Sequence, residues 1–190
     1  MNSNDKRLEK VIVCKVVPHN DQITLKEYDS NWPKLFEREA KRIKSILGKQ
    51  AIEIEHVGST SVPGLTAKPI IDILLVVPDS ADEDAYVPPL EKAGYILKIR
   101  EPDWLEHRLF KGPDTDINMH VFTEGESEIE QMLDFRNQLR NHPEDRQKYE
   151  SVKRKLAQKK WRHVQDYADA KTEIIQEIKK KISLRYELPS

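Results

Sequence analysis

The sequence contains one cysteine, Cys14, among 190 residues. A single thiol excludes an intramolecular disulfide and any multi-cysteine zinc site, and it suits a reducing compartment, so the expected address is the cytoplasm. A long apolar run is also missing: the longest, residues 70–77, is interrupted by Asp72 and too short to span a bilayer. Residues 1–10 are polar and charged, without signal-peptide character, so neither secretion nor membrane insertion is expected. With 32 basic against 33 acidic residues there is no overall basic bias, and general nucleic-acid binding is not expected. Repeats, low-complexity tracts, a Walker loop and a dinucleotide fingerprint are lacking too.

What remains is the profile of one domain, residues 1–190, long enough to bury roughly two thirds of its unfolded surface. Charge is unevenly spread along it. Residues 1–50 carry 11 basic and 7 acidic side chains, residues 51–142 carry 8 and 18, and residues 143–190 carry 13 and 8. Solvated helix faces explain such a pattern, and so does a cation-binding centre between phosphate-binding flanks.

Hydrophobic spacing orders the elements. Residues 11–17 and 23–28 read as extended, and residues 32–47 as a helix striped by Leu35, Phe36, Ala40, Ile43 and Leu47. Residues 52–57 alternate like a half-buried strand, and residues 69–77 read as a strand covered on both faces. A short helix from Asp79 or Ser80 to Ala93, extended pieces at 95–99 and 105–111, and a strand at 117–122 follow. Three helices close the chain, at about 126–142 with Ser127 and Glu130 as a capping box, at 143–161, and at 164–184. The expected fold class is α+β, a mixed sheet flanked by helices with a helical C-terminal part. Trp32, Trp104 and Trp161 read as packing anchors.

The chemistry concentrates in residues 56–65, where Gly58 and Gly64 accompany Ser59, Thr60 and Ser61. Glycines let the backbone approach a ligand, and short hydroxyls donate to phosphate oxygens; a tight turn uses the same residues. Asp72 then interrupts an apolar strand, where a carboxylate costs several kcal/mol unless paired, hydrogen-bonded or metal-bound. A structural partner such as Lys68 and a divalent cation both satisfy that need. Alternation puts Asp72 on one strand face, and Asn118 with His120 on one face of another, so Asp72 and His120 converge if those strands are neighbours. His56 ends a third strand, and carboxylate with imidazole suits a divalent metal. Among the C-terminal cations, Arg136 with Arg140, Lys153 near Tyr149, and Lys171 near Tyr167 are candidates for phosphate or for ion pairs.

Residues 55–65, Glu-His-Val-Gly-Ser-Thr-Ser-Val-Pro-Gly-Leu, followed by Ala67-Lys68-Pro69-Ile70-Ile71-Asp72-Ile73, resemble the signature of the GrpB-like proteins. Tyr28 with Trp32-Pro33, residues 118–121, residues 135–140, and the spaced Tyr149, Lys153, Tyr167 and Lys171 extend the resemblance over about residues 23–182. It implies a nucleotidyltransferase-like fold, a domain type that also occurs fused to dephospho-coenzyme A kinase. In that superfamily a glycine-serine pair, here Gly58-Ser59, holds a nucleoside triphosphate, and two carboxylates one residue apart bind magnesium. The first falls on Asp72 and the second on Leu74, which cannot ligate metal. The expectation is therefore Asp72 as the catalytic residue, with His120, His56 or Glu55 completing a site for Mg, Mn or Zn. Gly58, Ser59, Thr60, Ser61, Lys68, Arg136, Arg140, Lys153 and Lys171 would bind nucleotide or another phosphate-bearing small molecule. A noncatalytic nucleotide- or phosphate-binding module is the alternative.

Overall fold

The computed structural model describes residues 10–13 and 19–187, with side chains through Leu184. Five strands form the central mixed sheet: β2 (Glu53–Val57), β3 (Ile71–Val77), β4 (Ile96–Glu101), β5 (His107–Lys111) and β6 (Ile117–Thr123), in the order β2-β3-β6-β5-β4. Only β3 and β6 run parallel; the other pairs are antiparallel. This is the α+β architecture expected from the hydrophobic pattern.

One face of the sheet is dry. Ile71, Ile73, Leu75 and Val77 of β3 join Met119 and Val121 of β6 in a core closed by Ile43 and Leu47 of α1 (Trp32–Leu47) and Leu90 of α2 (Val87–Lys92). Each such fully buried side chain contributes roughly 1.5–3 kcal/mol. The other face is divided. Leu74, Val76 and Phe122 pack with Val57 under Ile129 of α3 (Ser127–Asn141), while Asp72, Asn118 and His120 lie uncapped by that helix at the neighbouring positions. The helical end, α3 with α4 (Pro143–Ala157) and α6 (Thr172–Glu187), encloses Val62 and Leu65 of the loop after β2 together with Leu139, Tyr149, Ile174 and Ile178. That loop is thereby clamped between sheet and helices.

Several local expectations are corrected. The helix expected from Asp79 or Ser80 is a 3-10 turn at Glu83–Ala85 and then α2, because Pro88 and Pro89 lack N–H groups and fit only a first helical turn. Ser127 does not cap α3, whose N-cap is Glu126 without a side-chain bond; the capping box is at His163 and Asp166. The helix expected over 164–184 is α5 (Val164–Asp169) and α6, with Ala170 and Lys171 between them although no glycine or proline marks the break. The helix expected to Trp161 ends at Ala157, and β7 (Lys160–Trp161) pairs instead with β1 (Asp21–Gln22). Of residues 11–17, 14–17 fall outside the described residues, and Ile12 bridges to Ile99 on the edge of β4. Among the described residues, no helix is long and apolar enough to cross a membrane.

Candidate functional site

Gly58 and Asp72 meet at the end of the β2–β3 pair. Val57 lies opposite Asp72 in the register, so the chain leaving β2 turns directly over the Asp72 side chain. Gly58 has φ +67°, and a Cβ there would overlap Asp72 Oδ2 and lie 2.9 Å from its Cβ and Cγ. Glycine is required twice, for the left-handed backbone and for the contact.

Asp72 is not spent on an arginine. Asn118, its partner in the parallel register, donates from Nδ2 to Oδ1 at 2.9 Å, and His120 Nε2 lies 4.0 Å from the same oxygen. The carboxylate is 28% exposed, and burial raises its pKa above the ordinary range, opposed by the Asn118 bond and the positive fields of Lys171, Lys111 and Lys68. Lys68 in turn is lowered by burial and by Lys111. Lys111 donates to Asn118 Oδ1 and to Asp116 Oδ1, both at 2.9 Å. The result is one half-buried carboxylate in the positive field of three lysines, which suits an anion bound together with a cation.

His120 is the end of a hydrogen-bonded series. Glu101 Oε2 lies 2.8 Å from His107 Nδ1, and His107 Nε2 lies 3.1 Å from His120 Nδ1. His107 Nδ1 donates to Glu101, and where His107 Nε2 carries no proton it accepts from His120 Nδ1, which turns the lone pair of His120 Nε2 toward Asp72. Burial, His107 and Lys111 push the His120 pKa down to about 3, so it stays neutral. The β4–β5 turn that carries His107 is strained: Leu105 and Glu106 have φ of +52° and +48°. Consecutive non-glycine residues there cost on the order of 1 kcal/mol each.

The remaining expected residues divide into two groups. Lys68 and Lys171 lie near enough for their charge to act on Asp72. Lys171, in the break between α5 and α6, lies 4.8 Å over the ring of Tyr167, whose buried hydroxyl has no hydrogen-bond partner among the described residues. The second group builds the loop. Thr60 donates to the Ile70 carbonyl, so His56 Nε2, 3.1 Å away, donates to Thr60 Oγ1. His56 points to the dry face, stacked on Phe36 at 4.8 Å, and the structure does not bring it to Asp72. Its pKa is pushed down to about 4 by burial, then by Arg140 and Arg136. Ser61 donates to the Gly58 carbonyl at 2.6 Å, and Ser59 is half-buried at the turn.

Arg136 donates to Glu55 Oε2 at 2.6 Å and to the His56 carbonyl at 2.9 Å, while Arg140 donates through Nε and Nη2 to the Ser61 carbonyl at 3.0 and 2.8 Å. Lys153 donates to the Thr66 carbonyl at 2.5 Å, and burial lowers it to about 7. These cations fasten the loop, and Glu55 is engaged by Arg136. Lys111 was not among the expected residues; it follows three positions after Arg108 on a strand with no distinguishing motif. Leu74, the position where the resemblance implies a second carboxylate, is fully buried under α3. Among the described residues, no group of three His, Cys, Asp or Glu is placed to hold a metal.

Comparisons with known proteins bear on the family and the fold. A family model described as GrpB protein matches residues 22–181. The chain is 67% identical over 177 residues to the UPF0157 protein BH1888 of Halalkalibacterium halodurans, covering 93% of this chain and 91% of that one. It is 41% identical over 180 residues to the UPF0157 protein SCO7215 of Streptomyces coelicolor, covering 94% and 95%. The crystal structure of conserved protein GrpB from Enterococcus faecalis superposes with TM-score 0.73 at 33% identity, covering 87% of this chain and all of that one.

Proposed function

Because the chain belongs to the GrpB family, we propose that its Asp72 site binds a nucleoside triphosphate with a divalent cation and transfers the nucleotidyl group to an acceptor. The observation that carries this reading is the half-buried Asp72 carboxylate packed under Gly58 and bonded to Asn118, which Lys111 holds in turn, in the positive field of Lys68, Lys111 and Lys171. Amines neutralise phosphate charge, and a carboxylate among them has a use when a cation bridges it to phosphate oxygens.

Asp72 Oδ1 and His120 Nε2, 4.0 Å apart, are the protein donors that would hold such a cation when His120 donates through Nδ1 and leaves Nε2 unprotonated. With two protein ligands, the other positions belong to phosphate oxygens and water, which suits Mg or Mn better than the closed sites of structural Zn. When bound, such an ion supplies Lewis-acid polarisation of the phosphate. The lysines hold the phosphates, Asn118 orients the carboxylate, and His107 orients His120.

Purified protein incubated with the four nucleoside triphosphates and Mg, Mn or Zn, with or without candidate acceptors, should release pyrophosphate, and Asp72→Asn should stop it. Asp72→Asn should also raise the thermal midpoint at neutral pH. The folded-state pKa of Asp72 is raised, so its ionised form opposes folding above the unfolded value, and a neutral amide relieves that cost. Equal nucleotide binding by parent and variant would sink the assignment. The sealed position of Leu74 favours a second reading, a noncatalytic module that senses a phosphate-bearing ligand; that reading predicts metal-assisted binding with no pyrophosphate under any of these conditions.

A further inference from the structure

Beside the Asp72 site lies a cavity of about 640 Å³. It opens over β4 and β5, on the side of His120 away from the Gly58 turn, and its wall includes Ile99, Trp104, His107, Leu109, His120 and Gln165. His120 is common to both places, with Nε2 toward Asp72 and Nδ1 toward His107. The volume is that of a small-molecule pocket.

The character of the wall narrows the ligand. Trp104, expected to be a packing anchor, is 44% exposed, its ring held edge-on by His107 and Phe122. A large exposed aromatic fixed in this way is a stacking platform for a flat ring. The strained residues Leu105 and Glu106 sit between Trp104 and His107, so the backbone is held in an unfavourable conformation at the point that aims both rings into the cavity. Charge in the wall is largely internal. Arg100 is paired twice with Glu83 at 2.6 Å, Glu101 is bonded to His107, and Lys10 and Asp103 contribute one charge of each sign. Among the described residues, nothing in the wall selects an anion, in contrast with the lysines whose charge acts on Asp72.

We propose that this cavity binds the second substrate, an uncharged hydroxyl-bearing molecule of the nucleoside class, its ring stacked on Trp104 and its hydroxyl directed past His120 toward the Asp72 site. The assignment rests on the transfer reading above, which needs two ligands meeting at one phosphorus from different directions. The phosphates occupy the lysine side and the acceptor the β4–β5 side.

The test uses the full chain and two kinds of probe. Titration with adenosine, guanosine, cytidine and uridine should quench tryptophan fluorescence saturably for at least one of them, and calorimetry should give the same affinity. Trp104→Ala should weaken that affinity tenfold or more, Trp104→Phe should keep it within about threefold, and both should bind inorganic triphosphate with Mg as the parent does. Undiminished nucleoside binding by a folded Trp104→Ala, or no nucleoside binding by the parent at millimolar concentration, overturns the proposal. So does an equal loss of nucleoside triphosphate affinity in Trp104→Ala with triphosphate itself unaffected, since the cavity would then hold the donor's base. Failure of the parent to bind triphosphate or nucleotide, with nucleoside binding intact, would instead overturn the function assigned to the Asp72 site and leave the cavity as a ligand site.

Discussion

Asp72 and Leu74 are two residues apart on the same face of β3, in surroundings of opposite kind. Leu74 is sealed among Val57, Val76, Phe122 and Ile129, whereas Asp72 is partly exposed among Asn118, His120 and three lysines. The boundary is set by reach. Helix α3 covers the sheet as far as Leu74, and beyond it the Gly58 turn, Lys68 and Lys171 take over. A position two residues along one strand thus separates a place where water is excluded by packing from one built of polar groups. The missing second carboxylate is therefore more than a changed side chain, because the space it would need is filled.

The strongest way to break this contrast is Leu74→Asp. If the apolar seal is real, a carboxylate there loses its packing and lacks a partner, and the variant should be destabilised by about 4 kcal/mol in denaturant unfolding. It should gain no second equivalent of Mn or Mg by calorimetry. A stable variant that bound a second ion would show that the site is open and that the two positions do not differ as described.

A second, somewhat smaller effect comes from His56, a buried polar group satisfied by the loop on the reverse face of the sheet. Its folded pKa is about 4 against 6.5 when exposed. Between those values the unfolded chain binds the extra proton, so stability rises with pH across this window and is lost on acidification from 6.5 toward 4. The full effect is about 3 kcal/mol. His56→Gln keeps a donor for Thr60 without titrating, and its unfolding free energy should lose that part of the pH slope. A parent and variant with parallel profiles would mean that His56 reaches water in the folded state.

Much of this arrangement was legible in the residues. A continuous apolar run identified β3, and alternation along β3 and β6 put Asp72 on one face of its strand and Asn118 with His120 on one face of theirs; the strands are parallel neighbours, so those residues meet. The Gly58 turn and the mismatch at Leu74 were also visible. What pattern could not carry is direction and partner. His56 and Glu55 adjoin in sequence but point to opposite faces, one onto Phe36 and one to Arg136. The roles of Arg136, Arg140 and Lys153 depend on carbonyls of the loop, which carry no sequence signal. Trp104 and His107 depend on a turn whose left-handed residues, Leu105 and Glu106, are not the types that announce such a conformation.

The finest probe of the comparison uses two glycines in one loop. Gly58 and Gly64 both have left-handed backbones, at φ +67° and +76°, but a Cβ on Gly64 has nothing within 4 Å while one on Gly58 overlaps Asp72. Gly64→Ala therefore isolates the conformational cost, about 1 kcal/mol, with binding at the Asp72 site unchanged. Gly58→Ala adds the collision, and it should lose about 2 kcal/mol while displacing either the turn or the carboxylate. Its affinity for triphosphate with Mg should fall at least tenfold relative to Gly64→Ala, measured by calorimetry at a temperature where both are folded. Equal affinities would mean that the close approach of Gly58 to Asp72 serves the fold alone, and the polar end of the face would then owe nothing to the turn above it.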